Sequence, residues 1–173
     1  MTDDISVLTL NTLFYDSVRS SDLESGPYGA DELVWLIQQL EDDSNPNRKF
    51  ILTSHIYPGA RYDNFALFRE KANAIYFDLL EQHKDKILIE LAGHDHFASL
   101  RAHVSDSGSS FHNIFIGPSI TPWYSNNPGV SSFEVSDDLV PHKLRSTFLN
   151  LQPTIGQEEP LPFGELEFRE LNY

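Results

Sequence analysis

The sequence predicts an α/β domain of the layered α+β kind, in which apolar strands alternate with amphipathic helices. Three observations carry that prediction. Short aliphatic runs at Ile5–Leu10, Phe50–Thr53 and Ile87–Leu91 are separated by two stretches whose apolar residues recur at helical spacing. Each run gives way to polar residues at its C-terminal end, as Asn11, Ser54-His55 and Gly93-His94-Asp95-His96. Beyond Ala98 the helical spacing stops, and short strands separated by turn-forming residues replace it.

Ile5–Leu10 is a core strand, and a sheet that opens this early suggests that something precedes it. Ser17 to Gly29 is polar and rich in Gly and Pro, hence a loop. From Ala30 to Glu41, Leu33, Val34, Ile37 and Leu40 share one helical face, and Asp31 and Glu32 in the first turn suit the helix dipole. Asn45-Pro46-Asn47 ends that helix, and Phe50–Thr53 is the next strand. Ile56-Tyr57-Pro58-Gly59 turns the chain away. Phe65 to His83 is a second helix, with Phe68, Ala72, Ile75, Leu79 and Leu80 facing the sheet. Ile87–Leu91 is the third strand. Ala98–Val104, Asn113–Ile116, Ser131–Val135 and Leu144–Leu151 continue the sheet in an antiparallel or mixed manner. Gln152–Gly164 is a surface connector, and Glu165–Tyr173 a short docking helix.

Composition bounds the partners. A formal net charge of -14 argues against binding the backbone of nucleic acids, which depends on Lys and Arg meeting phosphates. It does not exclude a small phosphorylated substrate, because a local metal ion outweighs distant surface charge. With 0 cysteines there are no disulfides, thiolate ligands or cysteine nucleophiles. The N-terminus lacks the basic and apolar segments of a secretory signal, and no run approaches the roughly 20 apolar residues of a membrane span.

In open α/β sheets ligands gather at the carboxyl ends of strands, where His55, His94 and His96 all stand. Imidazoles from such positions suit zinc, iron, manganese, cobalt or nickel. Two surface histidines after a strand are the plain alternative reading of Gly93-His94-Asp95-His96. His83 near a helix end, and His103, His112 and His142 beside polar loops, are read as structural or surface groups.

Several blocks now occur in a telling order: the opening strand with Asn11, the helix Leu33 to Leu40, Ser54-His55-Ile56-Tyr57-Pro58-Gly59, Gly93-His94-Asp95-His96, Pro118-Ser119-Ile120-Thr121-Pro122, and Asn127-Pro128-Gly129. In this the chain resembles the calcineurin-like metallophosphoesterases, and among them the acid sphingomyelinase-like phosphodiesterases. The resemblance implies a β-sandwich flanked by helices around two divalent metal ions, zinc foremost, with manganese and iron as alternatives. It assigns His55 and His94 to one ion and His96 to the other. Asn11, Tyr15, Thr121, Tyr124 and Asn127 would border the substrate, and Asp95 would be a supporting or solvated group.

Family members also carry Asp-x-His, Gly-Asp and Gly-Asn-His blocks, which supply a bridging aspartate, an asparagine ligand and the catalytic acid histidine. None precedes Ile5 here. The expectation is therefore a partial phosphoesterase domain over residues 1–151, the C-terminal half of the family's catalytic domain, followed by a connector and tail over residues 152–173. No catalytic acid is expected in this chain. It would be a hydrolase of phosphodiesters or phosphomonoesters that is inactive without the other half, or else a non-catalytic module packing against a complementary polypeptide. A fragment of a typical relative would be secreted or lysosomal.

Overall fold

The computed structural model of the chain describes residues 4–18, 27–42, 44–105, 108, 110–137, 141–151 and 167–172. The elements in order are β1 (Ile5–Thr9), α1 (Pro27–Glu41), β2 (Lys49–Thr53), α2 (Glu70–Gln82), β3 (Ile87–Ala92), β4 (Ser99–Val104), β5 (Ser110–Ile116), β6 (Gly129–Val135), β7 (Pro141–Asn150) and β8 (Glu167–Asn172). They confirm the α/β class. Contacts divide them into two compact units, one of Met1–His94 with Leu100–Ile116, the other of Asp95–Ser99 with Gly117–Tyr173.

The first unit holds a five-stranded sheet in the order β1-β2-β3-β5-β4, among the described residues. Its β1/β2, β2/β3 and β3/β5 pairs are parallel. Registered pairing sets Leu8, Leu52, Glu90 and Ile114 side by side in one row across the sheet. Leu36 and Leu40 of α1 and Tyr76, Leu79 and Leu80 of α2 join Leu8, Leu52 and Ile114 in a single buried cluster, so both helices cover this face. A carboxylate in an otherwise aliphatic row is the anomaly of the core.

Both helices differ from expectation at their starts. α1 begins at Pro27, where proline's fixed φ and missing N–H suit the first helical position. Asp31 and Glu32 therefore lie beyond the first turn. Helix α2 begins only at Glu70, because residues 65–68 form a bend between isolated bridges and Arg69 is extended. Bridges of Ala60 to Ala66 and Asp16 to Phe68, with Arg69 N–H donating to the Tyr15 carbonyl at 2.9 Å, already satisfy that backbone. The buried face of α2 centres on Tyr76, Leu79 and Leu80, and Ile75 is exposed.

The second unit holds an antiparallel sheet in the order β6-β7-β8. The expected tail helix is instead strand β8. Its six residues are too few for a self-supporting helix, and pairing along Arg145–Asn150 supplies the backbone bonds. The loop entering β6 is held by Gly129 N–H to the Ser119 carbonyl at 2.9 Å and Leu149 N–H to the Pro128 carbonyl at 2.8 Å. Glycine suits position 129, since a Cβ would lie 3.1 Å from Pro118 Cβ and 3.3 Å from the Thr147 carbonyl oxygen and would require both to give way. The connector expected over Gln152–Gly164 and most of the loop expected over Ser17–Gly29 lie outside the described residues.

Candidate metal centre

Because β1, β2 and β3 run parallel, their C-terminal ends share one edge of the sheet. Backbone bonds continue the pairing past the strands: Leu10 N–H to Thr53 O at 2.8 Å, Ser54 N–H to Leu91 O at 3.0 Å, and Gly93 N–H to His55 O at 3.1 Å. That last bond ties the turn carrying His94 to the turn carrying His55. Their imidazole centroids are 5.3 Å apart with the rings perpendicular at 89°. His94 reaches this place with φ 79, the left-handed region that costs a side-chain-bearing residue energy and concentrates at functional sites.

His96 belongs to the second unit and is also left-handed, at φ 67. Its carbonyl accepts Ser119 N–H at 3.2 Å and the Asn126 amide at 3.4 Å. Its Nδ1 is buried without a hydrogen-bond partner. Beside it is a cavity of about 220 Å³ lined by His96, Phe97, Pro118, Asn126, Asn127 and Thr147, among others. The ring of Tyr124 is 5.7 Å from that of His96, and Tyr124 is itself left-handed at φ 65. Trp123 and Tyr124 are 64% and 68% exposed, with ring centroids 6.1 Å apart. Asn127 also receives Leu151 N–H on its Oδ1 at 3.0 Å. Thr121 is exposed in a turn closed by its N–H to Ser119 Oγ at 2.9 Å.

Asn11 and Tyr15 are tied to α1. Glu32 accepts Asn11 N–H at 2.7 Å on one oxygen and the Tyr15 hydroxyl at 2.8 Å on the other. Tyr15 is buried, and burial first, then the neighbouring Glu32, raises its pKa far above the tyrosine range. Its hydroxyl is thus a fixed donor to Glu32 and Gly29. Among the described residues no group of three or more His, Asp or Glu side chains stands ready to hold an ion.

Sequence reasoning missed a polar cluster beneath the His55 turn. Glu90, 0% exposed, accepts Ser54 Oγ–H at 2.6 Å on Oε1. Its Oε2 accepts the Tyr76 hydroxyl at 3.3 Å and lies 2.9 Å from His112 Nε2. His112, expected beside a loop, is instead on β5 and only 3% exposed. The Tyr76 hydroxyl is held well above its ordinary pKa, by burial first and then by Glu90. His103, on β4, packs against Phe77 at 4.3 Å between centroids, and burial followed by the adjacent His112 pushes its pKa down to about 4.

No protein-family model matches the chain. The acid sphingomyelinase-like phosphodiesterase 3b of Mus musculus is 30% identical over 166 residues, 89% of this chain and 36% of that protein. The sphingomyelinase phosphodiesterase D of Dictyostelium discoideum is 30% identical over 75% of this chain and 31% of its own length. Among solved structures, a dimetal phosphatase from Danio rerio aligns over 68% of this chain and 34% of its own, at 18% identity and a TM-score of 0.46. The chain spans about a third of the length of the curated relatives it matches. Over roughly nine-tenths of its length, the chain is a homologue of the acid sphingomyelinase-like phosphodiesterases.

Proposed function

We propose that this chain supplies the histidine side of a divalent-metal centre that hydrolyses phosphoesters, and that further ligands from outside its described residues complete the centre. The observation that carries the reading is the His55–His94 pair, with centroids 5.3 Å apart at neighbouring strand ends. Two imidazoles on one tetrahedral ion, with metal–nitrogen bonds of about 2.1 Å, have ring centres about 5 Å apart. The spacing therefore fits a shared ion. Within the second unit, the buried Nδ1 of His96 has no hydrogen-bond partner and is free to serve as a ligand in its own right.

Bound divalent metal supplies Lewis-acid stabilisation of phosphoryl oxygens and a water acidified enough to attack phosphorus. The chain's own residues orient the reactants. In the first unit His55 and His94 would hold the ion through their ring nitrogens; in the second, Asn127 and Tyr124 offer polar and aromatic groups beside His96. Two imidazoles alone leave a tetrahedral ion two ligands short, so the isolated chain binds weakly and turns over little phosphodiester. A non-catalytic module that packs on a partner chain is the competing reading, favoured by the lack of a three-donor group among the described residues.

The test is cobalt, zinc and manganese binding by calorimetry on the wild type, His55→Ala and His94→Ala, alongside turnover of a chromogenic phosphodiester. Uptake lost in both variants supports the reading. No uptake by the wild type, or uptake indifferent to both substitutions, favours the non-catalytic module. Robust turnover by the chain alone that His94→Ala abolishes would overturn the requirement for outside ligands.

A further inference from the structure

Glu90 stands in register with Leu8, Leu52 and Ile114, three aliphatic residues of the same face. An aliphatic side chain there would need no hydrogen-bond partners, and exchanging a buried ion pair for apolar residues is often neutral or stabilising. Core stability therefore gives no reason for a carboxylate at this point. Its bonds suggest another. Tyr76 from α2 and His112 from β5 both engage Oε2, which fixes the carboxylate plane and leaves Oε1 to hold Ser54 at 2.6 Å. Ser54 immediately precedes His55, and Ser54 N–H is already bound to Leu91 O on β3.

We propose that Glu90 is a positioning residue for the candidate ion site, acting through Ser54 to set where the His55 imidazole stands against His94. The carboxylate is braced by two elements, α2 and β5, that do not carry the histidines. It converts the packing of those elements into the placement of the β2 turn. Without the Ser54 link, the His55 turn keeps its backbone bonds to β3 but loses the side-chain anchor that resists rotation of its first residues. The ion-affinity part of the test rests on the metal reading given above; the ring geometry does not.

The experiment uses the chain with Ser54→Ala, Ser54→Thr and Glu90→Gln, and two measurements. In metal-free protein, proton NMR reads the cross-relaxation between the His55 and His94 rings; cobalt titration reads affinity. Ser54→Ala is expected to weaken the ring–ring cross-peak and raise the cobalt dissociation constant about 10-fold, the scale of losing a supporting hydrogen bond behind a ligand. Ser54→Thr, which keeps the hydroxyl, is expected to restore both, and the melting temperature of Ser54→Ala is expected to stay within about 4 °C of wild type. An unchanged cross-peak and unchanged affinity in Ser54→Ala would overturn the proposal. If the wild type takes up no cobalt, the metal reading fails, and the cross-peak alone decides whether Glu90 positions His55.

Discussion

Removing the Glu90 carboxylate should unfold the first unit far more readily than its aliphatic surroundings suggest. In Glu90→Ala, His112 at 3% exposure loses its partner at 2.9 Å and keeps a buried ring nitrogen unsatisfied, a cost of about 1–3 kcal/mol. The Tyr76 bond is longer, at 3.3 Å, and its loss adds about 1 kcal/mol. Ser54 is half-buried and can turn to water, adding at most a few tenths. The sum is about 2–4 kcal/mol. Glu90→Gln should lose only about 1–2 kcal/mol, because its amide oxygen can accept from His112 and Tyr76 while its NH2 donates to the Ser54 hydroxyl. The assay is urea unfolding in a Trp123→Phe background. This leaves Trp35 on α1 as the sole tryptophan and reports on the first unit. A thermal shift of about 4–16 °C should accompany Glu90→Ala in a chain of this size. The reasoning is refuted if alanine costs less than about 1 kcal/mol, or if glutamine costs as much as alanine. Glu90→Leu combined with His112→Leu should be more stable than either single variant, since no polar group is then left unpaired.

Three further predictions follow from particular residues. His103 has its pKa lowered to about 4 from 6.5, so the unfolded chain binds the proton more readily between those values. Stability should be unaffected by this group above pH 6.5 and should fall as pH drops from about 6.5 towards 4, by about 1–2 kcal/mol after allowing for partial solvent screening. His103→Phe should flatten that slope in denaturation measured from pH 7.5 to 4.5, and an identical slope would count against burial as the cause. Gly59 has φ 90, and a Cβ there would lie 3.3 Å from His103 Cε1, so Gly59→Ala should cost about 1–3 kcal/mol by urea unfolding. Asn64, at φ 64, should tolerate glycine within about 0.5 kcal/mol, a control that separates backbone strain from general loop sensitivity. His94→Gly and His96→Gly should change stability by less than about 1 kcal/mol, relief of the left-handed strain offsetting glycine's greater chain entropy, while His94→Gly abolishes ion uptake. A loss beyond about 2 kcal/mol would show that these imidazoles serve the fold.

The placement of His55 and His94 was legible because two features sufficed for it. Aliphatic runs mark the strands, and intervening helices make neighbouring strands parallel, which brings their C-terminal ends to one edge. The role of Glu90 was not legible from the same run. In I-L-I-E-L-A, Ile89, Glu90 and Ala92 are all buried, so polar–apolar alternation cannot say which face the glutamate joins. Its partners lie 14, 22 and 36 residues away, on α2, β5 and after β2, and only the folded register gathers them. The tail failed for a related reason. Phe168 and Leu171 have helical spacing, but pairing with β7 outweighs a local preference of six residues. Tyr15 was placed by position near the site, yet its hydroxyl turns inward to Glu32, because a tyrosine packed against Phe68 and Tyr76 needs a buried acceptor.

Two local departures from what stability alone favours occur in β3 and the turn that follows it. One is chemical: a carboxyl group occupies a row that leucine and isoleucine fill elsewhere. The other is conformational: His94 holds a left-handed backbone where glycine would rest at lower cost. Sequences consistent with their fold at every level have no need of either, and departures of this kind gather where a site is being shaped. Ser54 and His55 connect them, the first bonded to Glu90 and the second standing 5.3 Å from the His94 ring. A buried carboxylate explains why the β2 turn is held, and a strained histidine explains what it is held against. Each alone admits a purely structural account, but a structural account of both must explain why Ser54 and His55 join them in a core that is otherwise aliphatic and aromatic apart from Thr12 and His112.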